Sequence, residues 1–207
     1  MDSLGLYISI PFCRSKCSYC NFASGVYPAS ALPGYVDRLC QELEGAGAWA
    51  ESARAVLPRR VESIYFGGGT PSLLTPELLK RVFAAIHEQF SVKPSAEITI
   101  ECAPGLLDDA LLASLEDCGV NRISFGVQSF VDREAAVTGR LHNRETAIRD
   151  VARALAAGIA SVNVDLIAGL PYQTRESWRE SLETLAGTGA NHVSIYMLEV
   201  DEDSRLG

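Results

Sequence analysis

The chain alternates between two spacings of apolar residues. Leu6, Ile8 and Ile10 fall on one side of residues 6–12 and Tyr7 and Ser9 on the other, the period-two signature of a strand. Leu32, Tyr35, Val36, Leu39, Cys40 and Leu43 then recur at helical spacing, and the Ala-rich stretch 45–59 leaves the end of that helix open. Residues 61–66 predict a second strand that runs into Gly67-Gly68-Gly69-Thr70-Pro71. Thr75 and Pro76 supply an N-cap and a first-turn proline for a helix striped by Leu79, Val82, Phe83, Ile86 and Phe90. Residues 97–101 predict a third strand. Asp108 caps a helix carrying Leu111, Leu112 and Leu115, closed by Gly119. Residues 123–127, 162–167 and 193–198 predict three more strands. Between them lie helices striped by Ile148, Val151 and Leu155 and by Trp178, Leu182 and Leu185.

A weak repeat supports this division. Residues 119–124, 158–163 and 189–194 each begin with glycine and join a helix end to a strand. Strand–helix alternation means parallel βαβ units. The expected fold is therefore α/β, a partial TIM-like (β/α)6 barrel with helices outside, and no low-complexity linker divides it. Parity within the strands then separates two faces. Ile98, Ile100, Ile123, Phe125, Val127, Val162, Val164, Leu166, Val193 and Ile195 should pack under the helices. Tyr7, Ser9, Thr99, Glu101, Ser124, Gly126, Gln128, Asn163, Asp165, Ser194 and Tyr196 should face inward. An ordinary barrel interior is filled with branched apolar side chains. Polar groups buried there need partners, so a polar ligand at the barrel mouth is expected. Ser124 and Ser194 are assigned instead to satisfying loop backbone.

Composition narrows the class. The 207 residues are 47% hydrophobic and 21% charged, which is globular, with room for an ample core. A net charge of −8 with no basic stripe argues against nucleic acid as the main partner. No apolar run of about 18 residues marks a transmembrane helix. The N-terminus lacks the basic and apolar regions of a secretory signal. Six cysteines without such a signal point to a reducing compartment, expected to be the cytoplasm, and to metal chemistry.

That chemistry centres on Cys13, Cys17 and Cys20, spaced C-x3-C-x2-C after the first strand. Three thiolates can hold three irons of a [4Fe–4S] cluster, leaving the fourth iron open to a small molecule. An open position is what separates a reactive metal site from a structural one. A structural zinc site would need a fourth ligand. The nearest candidate, Cys40, lies on a helix stripe, and the triplet alone admits either metal. Gly67 to Gly69 match neither a P-loop nor G-x-G-x-x-G. They allow close backbone approach to a ligand.

Together these residues resemble the radical S-adenosylmethionine (SAM) superfamily, and within it the oxygen-independent coproporphyrinogen III oxidase family. The segments that carry the resemblance are 7–13, 65–71, 97–101, 122–130, 139–142 and 163–171, in family order. The resemblance implies a radical SAM core over residues 1–207. In it the open iron is chelated by the amino and carboxylate groups of SAM, whose reductive cleavage yields a 5′-deoxyadenosyl radical. It places Tyr7, Tyr19, Gly68, Gly69, Thr70, Glu101, Gln128, Arg140 and Asp165 at the SAM pocket. It also implies heme or a porphyrin as a further ligand, an electron donor such as flavodoxin or ferredoxin, and heme-accepting proteins as partners.

Departures from the pattern refine the expectation. Coproporphyrinogen dehydrogenases carry a further cysteine two residues after the third, where this chain has Phe22. That points to the HemW-like branch, whose members bind heme and pass it on. Oxidative decarboxylation of coproporphyrinogen is the alternative, and a metal-stabilised binding module without SAM chemistry is a second. Ser9 stands where the family has histidine, and Ala103 where asparagine is common. The family continues into a C-terminal region that covers the barrel mouth, and the expectation is that this chain, ending at Gly207, lacks it. Cys40, Cys102 and Cys118 are assigned to the core, His87 to a helix surface, His192 to a structural role and Asp201–Asp203 to a solvated run. His142, beside Arg140, is a candidate for a ligand or proton role.

Overall fold

The computed structural model describes residues 3–200. Six parallel strands form one sheet in sequential order: β1 (Leu4–Ile10), β2 (Arg60–Gly68), β3 (Ser91–Cys102), β4 (Arg122–Gln128), β5 (Ser161–Ala168) and β6 (His192–Met197). The crossovers carry α1 (Leu32–Ser52), α2 (Pro76–Gln89), α3 (Asp109–Asp117), α4 (Asp132–Val137), α5 (Arg144–Ala156) and α6 (Arg175–Gly187). Every strand paired to its successor with a helix between is the expected open (β/α)6 arrangement. The helix left open in the sequence runs to Ser52, and β3 begins six residues before the strand expected there.

Local chemistry starts the helices where expected. Thr75 accepts from the Leu78 amide at 3.4 Å, and Asp108 accepts from the Leu111 amide at 2.8 Å. Asn143 accepts from the Thr146 amide at 2.9 Å, and Thr174 forms a reciprocal capping box with Ser177. Each bond satisfies an amide that the first helical turn leaves unpaired. Short α4 carries no apolar period long enough to read, and the sequence did not reveal it.

One core lies between the sheet and the helices. Ile8, Ile10, Ile64, Phe66, Ile98, Ile100, Ile123, Phe125, Val127, Val162, Val164 and Leu166 point into it, whereas Val193 and Ile195, expected on the same face, are exposed on the edge strand β6. Cys102 is buried there, while Cys40 and Cys118 are only partly buried and pack against its margin. His87 is exposed on α2. Among the described residues no helix is long and apolar enough to cross a membrane. The Asp201–Asp203 run lies outside the described residues.

The opposite face is polar and bonded to itself. Asn163 donates to Ser124 Oγ at 2.7 Å and to Asp165 Oδ1 at 2.8 Å, and Ser124 donates to Asp165 Oδ2 at 2.9 Å. His192 Nδ1 lies 2.6 Å from Asn163 Oδ1, to which Ser194 also donates at 3.2 Å. Ser124 and Ser194 therefore do not serve loop backbone. They share the inner layer with Asn163 because strand register places Ser124 level with Asn163 and Ser194 level with Asp165, two residues further along β5. His192 has the structural role expected of it.

Candidate functional site

The cysteine loop leaves the carboxyl end of β1 and is tied down along its length. The Cys13 amide donates to Gly25 O and the Gly25 amide to Pro11 O, each at 2.9 Å. The Ser18 amide donates to Thr138 O at 3.0 Å, which joins the loop to the turn after α4. Lys16 folds its ammonium back onto the loop, donating to Phe22 O at 2.6 Å and Ser24 O at 3.0 Å. The loop is thereby closed without using a thiol, and all six cysteines are free.

Cys13, Cys17 and Cys20 line one cavity of about 300 Å³ at the carboxyl ends of the strands. Its walls include every expected pocket residue but one: Tyr19 from the loop, Gly68, Gly69 and Thr70 after β2, Glu101, Gln128, Asp165 and Arg140. The exception is Tyr7. Its ring stacks on Tyr65, with centroids 5.8 Å apart, and Tyr65 stands in the cavity wall in its place. Tyr65 was missed from the sequence, although register could have found it, since Tyr7, Tyr65 and Thr99 are level neighbours on three strands. Ser9 sits behind Gly68.

All three glycines are explained by the protein itself; Gly68 has φ +99°, and a β-carbon there would lie 2.7 Å from Ser9 Oγ. A β-carbon on Gly69 would lie 2.7 Å from Ile10 O and 2.8 Å from Phe12 O, backbone atoms leading into the cysteine loop. On Gly67 it would meet the Tyr65 ring and the Tyr7 hydroxyl at 2.9 Å and Glu101 Oε1 at 3.1 Å. The run therefore lets β2 press against the loop while keeping the inner wall clear.

Charge is arranged on opposite sides of the cavity. Glu101 accepts from Tyr65 Oη at 2.8 Å. Burial raises its pKa above the ordinary carboxyl value and Asp165 adds to this, with the Tyr65 hydrogen bond opposing them. Burial, then the neighbouring Glu101 charge, also raises the Tyr65 phenol. Across the cavity Arg140 donates to Gly126 O and places Nη1 3.6 Å from Cys17 Sγ. Its Nε is buried without a partner. Unpaired buried donors are rare in folded proteins, so this guanidinium is short of an acceptor. His142, two residues on, is held neutral: burial and then the Arg140 charge push its pKa down to about 4. It lines a second cavity, of about 610 Å³, which shares Cys17, Thr70, Ala103 and Arg140 with the first.

The donor set has a definite character. Three thiols share a wall, yet among the described residues no three His, Cys, Asp or Glu side chains converge on one metal-ion position. Three thiols are the donor type an iron–sulfur cluster takes, and the partnerless guanidinium beside them suits an anion. Comparison with known proteins gives the family. The profile of the Radical SAM superfamily matches residues 7–185. The chain belongs to the radical SAM superfamily. The heme chaperone HemW of Synechocystis is 37% identical over 205 residues, 94% of this chain and 47% of that protein. A mouse protein, radical S-adenosyl methionine domain-containing protein 1, mitochondrial, is 35% identical over 97% of this chain and 44% of its own. Among solved structures, the radical SAM enzyme coproporphyrinogen III oxidase (HemN) of Escherichia coli superposes with a TM-score of 0.85 at 31% identity, covering 96% of this chain and 44% of that one. The chain spans about half the length of the curated relatives it matches. The radical SAM core it contains is of the HemW/HemN type.

Proposed function

We propose that this chain binds a [4Fe–4S] cluster through Cys13, Cys17 and Cys20 and binds SAM beside it, as the core of a HemW-like heme chaperone. One observation carries the reading: three free thiols and the acceptor-poor guanidinium of Arg140 face into the same cavity as Glu101, Gln128 and Asp165. The cluster, when bound, supplies the electron that cleaves SAM. Arg140 suits the SAM carboxylate, since guanidinium and carboxylate pair bidentately. Glu101 and Asp165 can accept from ammonium and hydroxyl groups, and Gln128 can both donate and accept. Tyr65 holds the Glu101 carboxylate in place before any ligand arrives.

A heme or porphyrin would be the further ligand, and heme-accepting proteins the partners. An electron donor such as flavodoxin or ferredoxin would supply the reducing equivalent. Six free cysteines fit a reducing compartment such as the cytoplasm.

The likeness to coproporphyrinogen III oxidase favours a second reading, oxidative decarboxylation of a porphyrinogen. Phe22 weighs against it. It is 68% exposed on the cavity wall and offers neither thiol nor proton where that enzyme type carries cysteine. The test is anaerobic reconstitution with iron and sulfide, then EPR of the reduced protein with and without SAM. A four-iron signal altered by SAM is expected. Heme titration then separates the chaperone reading from porphyrinogen turnover. One zinc per chain with no labile sulfide would overturn both.

A further inference from the structure

A buried polar network lies behind the cavity, outside the residues assigned above. Glu134 on α4 is 1% exposed. Its Oε2 accepts from Ser129 Oγ at 2.7 Å and from Gln173 Nε2 at 3.4 Å, while Oε1 has no partner. Ser129 Oγ also accepts from the Val131 amide at 2.9 Å and lies 3.3 Å from Ser181 Oγ on α6. Ser181 in turn accepts from the Phe130 amide at 3.2 Å. Gln173 reaches back to Ile167 O at the end of β5, at 3.1 Å. A carboxylate this deep is kept only if its surroundings hold it. Here they are the carboxyl ends of β4 and β5 and the start of two helices.

Two cavity residues hang from this network. Gln128 directly precedes Ser129 and has φ +69°, a left-handed conformation that non-glycine residues adopt only under constraint. It follows a shift in register between β4 and β5, a bulge of the kind that re-aims a side chain. On the other side, α4 leads into the turn bearing Arg140. The Arg140 amide donates to Ala135 O at 3.2 Å, and Thr138 Oγ1 caps the helix on Ala135 O at 2.8 Å. Thr138 O then receives the Ser18 amide of the cysteine loop. Gln128 Nε2 and Arg140 Nη2 meet over Gly126, each 3.1 Å from where its β-carbon would stand.

We infer that Glu134, Ser129 and Ser181 are positioning residues for the SAM pocket: their buried network holds the strained Gln128 and the Arg140 turn in the one arrangement that faces the cysteine loop. The inference rests on the pocket reading above. None of the three touches the cavity, so their effect must pass through Gln128 and Arg140.

The test uses the whole chain with its cluster reconstituted, in Glu134→Ala, Ser129→Ala, Ser181→Ala and Glu134→Gln variants. Ile86→Val, a core truncation on α2, serves as a control for lost stability. Two quantities are read: SAM affinity, and exchange of the Ser18 and Arg140 amides by NMR without SAM. Glu134→Ala and Ser129→Ala should weaken SAM binding roughly tenfold and speed both amides by a similar factor, with Glu134→Gln restoring most of each. Ile86→Val should change neither. SAM affinity and amide exchange equal to the parent in the alanine variants, or lost to the same degree in Ile86→Val, would overturn the inference. If Glu134→Ala does not fold, Ser181→Ala carries the same test from α6. If the parent itself ignores SAM, the pocket reading fails separately. Amide exchange then still decides: faster Ser18 and Arg140 exchange upholds the network's hold on the turn, and unchanged exchange sinks it.

Discussion

Replacing Gly69 with alanine should damage cluster assembly from a position that touches no thiol. The added β-carbon would lie 2.7 Å from Ile10 O, 2.8 Å from Phe12 O and 2.9 Å from Phe12 N. An ordinary carbon–oxygen approach is about 3.3 Å, so this backbone must retreat by about half an ångström. Retreat is difficult, because Phe12 is buried, packs edge-on against Tyr27 and Tyr35, and is followed by Cys13, whose amide is bonded to Gly25. Overpacking of this kind typically destabilises by about 1–3 kcal/mol. With a urea dependence of about 2 kcal/mol per molar, the unfolding midpoint should fall by about 1 M. Iron and labile sulfide per chain should fall as well, because the displaced segment carries the first cysteine. Gly67→Ala provides the contrast: its clashes are with the Tyr65 ring, the Tyr7 hydroxyl and the Glu101 carboxylate, ends of side chains that can swing. It should retain stability and iron while losing SAM affinity. An unchanged midpoint and full iron loading in Gly69→Ala would refute the reasoning.

Three further outcomes are expected. Arg140→Ala should weaken SAM binding by at least tenfold while leaving iron content intact, and Arg140→Lys should recover little, because an ammonium cannot pair bidentately; calorimetry on the reconstituted protein checks both. His142 has a folded pKa of about 4, below its ordinary 6.5. The unfolded chain therefore takes up the proton first, and stability is lost as pH falls from 6.5 toward 4. Unfolding free energies from urea titrations at pH 7 and pH 5 should differ by about 2 kcal/mol more in the parent than in His142→Asn. Asp150 is 1% exposed and accepts from the Gly105 amide at 2.6 Å, so Asp150→Ala should destabilise by about 2 kcal/mol by leaving that amide unpaired, as read by thermal or urea unfolding.

Most of the scaffold was legible because its signals are local and periodic. Alternation in the strands and the caps at Thr75 and Asp108 needed no knowledge of the tertiary structure. Parity also carried the inward placement of Glu101, Gln128 and Asp165. What remained hidden depends on contacts between distant segments. Tyr65 serves the site by stacking on Tyr7 and holding Glu101, which only the pairing of three strands reveals. The link from Arg140 to Cys17 spans 123 residues and comes from an irregular turn. Ser124 was misassigned because a serine's partner, side chain or loop backbone, is fixed by register and not by its neighbours in sequence. Glu134 gives no local sign of burial, because its network is completed by Gln173 and Ser181, which are distant in sequence.

The sheet works as a partition. Its apolar side is spent on holding the fold, and its polar side takes almost no part in that core. Substitutions on the two sides should consequently be felt by different properties, stability on one and ligand choice on the other. Exchange of the inner lining is limited by its own hydrogen bonds: Ser124, Asn163 and Asp165 would have to change together, since replacing one leaves the others buried and unpaired.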